Sequence, residues 1–123
     1  MITKKILIAE DENIIALDIK KRVEGMGYFV PVVVNSGERA VEAAAGLLPD
    51  LILMDVTLKG KISGIDAGIE IWNKYKIPVI FVTAFLDDAS KGKCSLSKCK
   101  FDYIIKPFDQ ADFRDKILHA LAA

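Results

Sequence analysis

The chain has 123 residues, 52% of them hydrophobic, which suits one domain with its own core and excludes a disordered segment. Lys+Arg and Asp+Glu both number 17, so the zero net charge offers no general attraction to nucleic acid or an anionic membrane. No apolar stretch approaches the ~18–20 residues of a membrane span, and Glu10-Asp11-Glu12 cuts the first apolar run short of a secretory core, so a cytoplasmic location is expected.

The first run, Lys5–Ala9, reads as a strand buried on both faces of a parallel sheet, because it is short, continuous and apolar. A helix is predicted from Asn13 to Met26, with Ile15, Ile19, Val23 and Met26 on one face and Lys20, Lys21 and Glu24 turned outward. Gly25 and Gly27 are its candidate terminators. The second strand, Tyr28–Val34, contains Pro31, which lacks the N–H a central strand needs and so assigns this strand to a sheet edge. Ser36 suits the N-cap of the next helix, and Ala43-Ala44-Ala45 favours its interior.

Pro49-Asp50 turns the chain into a third run, Leu51–Met54, closed by Asp55. A long loop with Gly60 and Gly64 follows, then a helix on which Ile65, Ile69 and Trp72 share a face. Pro78 opens the fourth strand, Val79–Val82, which Thr83 ends. The segment Leu86–Lys100 is the weakest helix, because Ser90, Gly92, Ser95 and Ser97 lower its propensity. The fifth strand is Asp102–Ile105, followed by Lys106-Pro107, and Asp109 caps a last helix with Phe113, Ile117 and Leu121 inward.

Five strand–helix units with short connections imply an α/β fold: one doubly wound, five-stranded parallel sheet with helices on both faces, spanning residues 1–123 as a single domain. The edge position of the second strand selects the order 2-1-3-4-5, whose switch point lies between strands one and three. The polar residues that end the apolar runs would then meet at one edge of the sheet. Acids with carboxylates about 4 Å apart repel by about 4 kcal/mol at an effective dielectric near 20, so such a site welcomes a divalent cation. An all-oxygen shell favours magnesium, with Lys106 adding positive charge without filling a coordination position. One carboxylate could act as nucleophile toward phosphorus, with Thr83 donating to a phosphoryl oxygen.

These residues resemble a family, the receiver domain of two-component response regulators, on four motifs that span nearly the whole chain: Ile8-Ala9-Glu10-Asp11-Glu12, Leu53-Met54-Asp55, Val82-Thr83-Ala84 and Ile105-Lys106-Pro107-Phe108. The resemblance implies a flavodoxin-like sheet and a phosphoacceptor switch rather than an enzyme with an outside substrate. It implies that Asp55 is phosphorylated by a partner histidine kinase, and that Asp11, Asp55 and the Thr57 backbone carbonyl bind Mg2+, with Glu10 acting through water. Thr83 would be the switch hydroxyl, Lys106 the phosphoryl-binding lysine and Tyr103 the switch aromatic. The Lys106-Pro107 peptide is expected to be cis. The output would pass from the surface of the fourth helix, fifth strand and fifth helix to a downstream protein or an attached output domain. That surface could also pair two copies of the chain. Two departures stand out: Lys59 where many relatives carry proline, and a slightly longer loop to Gly64, both bearing on loop shape and kinase fit. Phe85 falls where relatives vary and would restrict the approach of water to the phosphoryl group.

Other readings fit less well. Haloacid-dehalogenase-like phosphatases carry an acid two residues past the nucleophile, where this chain has Thr57. A flavin-binding module would need a hydroxyl- or glycine-rich phosphate loop where Glu10-Asp11-Glu12 stands. A receiver-like scaffold that is never phosphorylated would not need the intact set. Trp72 reads as helix packing, His119 as a surface residue, and Cys94 and Cys99 as free thiols.

Overall fold

The computed structural model describes residues 3–122. The elements run β1 (Ile6–Ala9), α1 (Asn13–Gly25), β2 (Val33–Val34), α2 (Gly37–Leu47), β3 (Leu51–Met54), α3 (Gly64–Tyr75), β4 (Val79–Thr83), α4 (Asp88–Leu96), β5 (Phe101–Ile105) and α5 (Gln110–Leu121). The five strands form one parallel sheet in the order β2-β1-β3-β4-β5, as the edge position of Pro31 implies.

Alternation along the strands divides the core into two layers. Leu7, Ala9, Ile52, Met54, Val79 and Phe81 point to the side covered by α2, α3 and α4. Ile6, Ile8, Leu51, Leu53, Ile80, Val82 and Ile104 point to the side where Ile19 and Val23 of α1 and Phe113 and Ile117 of α5 close over them. Each such Leu, Ile or Phe removed from water contributes about 1.5–3 kcal/mol before entropy is counted. The central strands β1 and β3 are buried at every position.

Three elements depart from the expectation drawn from sequence. The second strand is much shorter than Tyr28–Val34. Phe29 pairs with Lys5 through an isolated bridge, pairing then lapses at Pro31, and it resumes where Val33 stands opposite Ile8. A missing N–H at Pro31 is the physical reason. On α3 the inward face is Ile65, Gly68 and Ile71, while Ile69 and Trp72 are only partly buried at its margins. Gly68 decides this, because a Cβ there would lie 3.0 Å from the Phe81 ring, so the helix sits close to the sheet on its small residues. At the end of α1, Gly27 takes the left-handed conformation (φ +92°) that stops the helix, while Gly25 is still helical.

The remaining helix ends follow the sequence closely. Ser36 accepts from the Arg39 amide, and Asp109 accepts from the Asp112 amide. The segment expected to be weak forms the nine-residue α4, whose only buried residue is Cys94. No helix among the described residues is long and apolar enough to cross a membrane.

Candidate phosphoryl and metal site

Strand register decides which side chains meet. Ala9 stands opposite Met54, and Met54 opposite Phe81, so the residues that follow β1 and β3 emerge side by side. The backbone amide of Asp55 donates to the Ala9 carbonyl (2.9 Å), and that of Glu10 to the Val34 carbonyl (2.9 Å). At the other end of the row, the Lys106 amide donates to the Thr83 carbonyl (2.8 Å), which ties the end of β5 to the end of β4. The Lys106–Pro107 peptide that follows is cis.

Five of the expected residues, Glu10, Asp11, Asp55, Thr57 and Lys106, converge there. Ligand oxygens of Glu10, Asp11 and Asp55 all lie within 4.8 Å of one another. The Lys106 ammonium reaches across from β5 and donates to Glu10 Oε1 (2.5 Å) and Asp55 Oδ2 (3.0 Å). The second Asp55 oxygen, Oδ1, accepts from both the amide (3.1 Å) and the hydroxyl (3.2 Å) of Thr57. Thr83 is buried at the end of β4. Phe85 and Tyr103 are not part of this cluster. Phe85 is 72% exposed. Tyr103 is half-buried beneath α4, with the Lys91 ammonium 4.5 Å and the Lys116 ammonium 5.5 Å from its ring centre.

Burial sets the electrostatics of the pocket. It pushes the Glu10 carboxyl above its ordinary value, and the Asp55 charge pushes the same way against the Lys106 hydrogen bond. Burial also raises Asp55, but the Thr57 amide and then Lys106 outweigh it and hold that carboxyl below its ordinary value. For Lys106, burial opposes the cation, and its bonds to Glu10 and Asp55 more than restore it. Three carboxylates facing one ammonium leave two formal negative charges when all are ionised. A hard divalent cation with oxygen ligands fits that donor set.

Two residues given no site role from the sequence shape this edge. Gly64 lies so near the Asp55 backbone that a Cβ would collide with the Asp55 carbonyl oxygen, and its amide donates to the Val56 carbonyl (2.9 Å). A glycine ending a long loop is a visible signal for such an approach. The second is Glu38, whose carboxylate Oε1 accepts from the amides of Lys61 and Ile62 (both 2.7 Å). Partners that are backbone amides 23 and 24 residues away leave no mark in the sequence. Elsewhere, Cys94 and Cys99 are buried free thiols, and burial pushes Cys99 up to about 12, which leaves it unreactive at neutral pH. Exposed His119 takes no part in this site.

Comparison with known proteins points to one family. A family model described as the response regulator receiver domain matches residues 6–118. The transcriptional regulatory protein PdtaR of Mycobacterium tuberculosis is 33% identical over 115 residues, which is 90% of this chain and 53% of that protein. The phyllosphere-induced regulator PhyR of Methylorubrum extorquens is 37% identical over 118 residues, covering 95% of this chain and 43% of that protein. The chain thus spans about half the length of the curated relatives it matches. Among solved structures, the signal receiver domain of a modulated diguanylate cyclase from Desulfovibrio desulfuricans is similar with a TM-score of 0.86 at 28% identity, covering 98% of this chain and 94% of that one.

Proposed function

The chain belongs to the response regulator receiver family, and from that premise we propose that Asp55 accepts a phosphoryl group from a histidine kinase in a magnesium-dependent step. The observation that carries this reading is the ion-paired cluster itself. Lys106 bridges Glu10 and Asp55 beside Asp11, on an edge where strand ends bring them within reach.

A carboxylate oxygen of Asp55 attacks phosphorus as the bond from phosphorus to the kinase imidazole nitrogen breaks, and that electron pair returns to the nitrogen. Asp55 is suited to this because its carboxyl is held below its ordinary value and is ionised at neutral pH. Asp11, Asp55 and the Thr57 carbonyl would hold Mg2+, with Glu10 reaching it through water. When bound, the metal supplies charge neutralisation to the phosphoryl oxygens. Lys106 neutralises a further oxygen, and the Thr83 hydroxyl donates to another. The new acyl phosphate then competes for Lys106, which has to loosen its hold on Glu10.

Thr83 and Tyr103 carry the response. Drawing Thr83 toward the phosphoryl group frees space for the Tyr103 ring to move inward from between Lys91 and Lys116. That movement remodels the α4–β5–α5 face for a downstream protein, an attached output domain or a second copy of the chain. Shifting such an equilibrium from 1:99 to 99:1 takes about 5.5 kcal/mol, which a few charge-assisted hydrogen bonds of about 1.5–3 kcal/mol can supply. Phe85, exposed two residues beyond Thr83, would restrict the approach of water to the phosphoryl group rather than assist transfer.

Incubation with a small acyl phosphate and Mg2+, followed by intact mass, tests the reading. The expected result is one added phosphoryl group, lost in Asp55→Asn and on chelation of the metal. Equal labelling of Asp55→Asn would overturn the assignment of the acceptor.

A further inference from the structure

The loop between β3 and α3 is held at both ends by different means. Near the site, the Thr57 amide and hydroxyl bind Asp55 Oδ1. Farther out, the loop is seated on the first turn of α2 through backbone atoms. Lys59 pairs with Ser36 in an isolated bridge, and one Glu38 oxygen accepts from two consecutive amides, Lys61 and Ile62. Gly60 takes φ +107°, and a Cβ there would collide with the Glu38 carboxylate, so the chain wraps directly around that group. On the helix side, a Cβ at Gly37 would lie 2.8 Å from the Ile62 carbonyl oxygen, so α2 and the loop approach at glycine distance from both directions. Only Leu58 separates Thr57 from the tethered stretch.

We propose that Glu38 is a positioning residue for the magnesium site, acting through residues 57–62 to hold Thr57 where its carbonyl meets the metal; this rests on the function proposed above. Glu38 itself stays outside the site and touches no reacting atom. Its carboxylate does for this loop what a rigid turn residue at Lys59 would otherwise do, by ordering the backbone from outside. It also offsets the two cationic side chains, Lys59 and Lys61, that the loop carries. An acid in the first turn of a helix also favours the helix dipole, so a purely stabilising role is the alternative. The two roles separate on metal binding: a stabilising residue changes the melting temperature at every magnesium concentration, whereas a positioning residue changes the concentration at which magnesium acts.

The test follows the Asp55 and Thr57 amide resonances during magnesium titration of the wild type, Glu38→Ala, Glu38→Gln and Glu42→Ala. Glu42 is an exposed acid on the same helix and serves as the stability control. Half-saturating magnesium is expected to rise about 3- to 10-fold in Glu38→Ala, below the roughly 10- to 100-fold typical of residues that contact metal ligands directly. Glu38→Gln, which keeps an acceptor oxygen, should recover most of that loss, and Glu42→Ala should match the wild type. Labelling by the acyl phosphate should need correspondingly more magnesium while its plateau rate stays within about twofold. Unchanged half-saturation in Glu38→Ala, or a lower plateau at unchanged half-saturation, overturns the inference. If Glu38→Ala does not fold, Gly60→Ala reaches the same contact from the loop and carries the same expectation. A wild type that shows no magnesium-dependent shift would instead overturn the proposed function, so the two failures are distinguishable.

Discussion

The helices α3 and α4 cover the same face of the sheet in succession, yet they are attached to it in opposite ways. α3 buries Gly64, Ile65, Ala67, Gly68 and Ile71, and its small residues let it settle onto Phe81 and onto the Asp55 backbone. α4 buries only Cys94, and polar straps do much of the rest. Lys93 pairs with Asp66 of α3, and Lys91 lies over the Tyr103 ring with its ammonium 3.4 Å from the hydroxyl. One helix is fixed by dispersion and close approach, which resist small displacements. The other adds to its one buried cysteine a part-buried cation over Tyr103 and an exposed ion pair, which water can replace at little cost. On the function proposed above, alignment would fall to the rigid side of the site and response to the loosely held side, as low local stability is where movement can be drawn from.

Changing one glycine on each helix would break or sharpen this contrast. Gly64→Ala sets a methyl against the Asp55 carbonyl and should destabilise the protein by about 3 kcal/mol in urea unfolding. A loss under about 1 kcal/mol would mean that α3 can slide and is not rigidly seated. Gly92→Ala on α4 meets open space, so it should stabilise by about 0.5–1 kcal/mol and slow amide exchange in that helix. A destabilising Gly92→Ala would show that α4 is packed more closely than its burial suggests.

The straps come next in size. Both partners of the Lys93–Asp66 pair are substantially exposed, at 58% and 44%. Lys93→Ala should therefore cost about 0.5 kcal/mol or less globally while raising exchange in α4, an effect that added salt should mimic. The smallest effect is expected at the α4 N-cap, where the Ser90 amide (2.7 Å) holds the Asp87 carboxyl below its ordinary value of 3.8. Because the folded value is the lower one, the cap's contribution is complete above 3.8 and is lost as pH falls through the folded value. The Ser90 amide shift should follow that transition, with α3 amides unaffected over the same range.

Much of this was legible because strands buried on both faces leave a plain record. The runs ending at Ala9, Met54, Val82 and Ile105 marked the strands, and the polar residues after them marked the edge where Glu10, Asp11, Asp55 and Lys106 meet. Helix faces were less legible. Ile69 and Trp72 have the right spacing and hydrophobicity for the centre of α3, but Gly68 and Ile71 occupy it, and a glycine there lets the helix pass close to Phe81. The clasp of Glu38 on Lys61 and Ile62 was invisible, since it joins a side chain to backbone amides, which every residue but proline possesses.

The sequence by itself determined the order of strands and helices, the edge position of the Pro31 segment, the caps at Ser36 and Asp109, and the identity of the acidic and basic residues at the sheet edge. Each of these depends on local chemistry: a missing N–H, a side-chain acceptor, an apolar run. Only the tertiary structure decided that Lys106 bridges Glu10 and Asp55, that Thr57 pins the free Asp55 oxygen, and that α2 grips the loop bearing Thr57. Those contacts join residues from separate elements, and their distances are fixed by strand register and helix approach, neither of which a residue can specify alone.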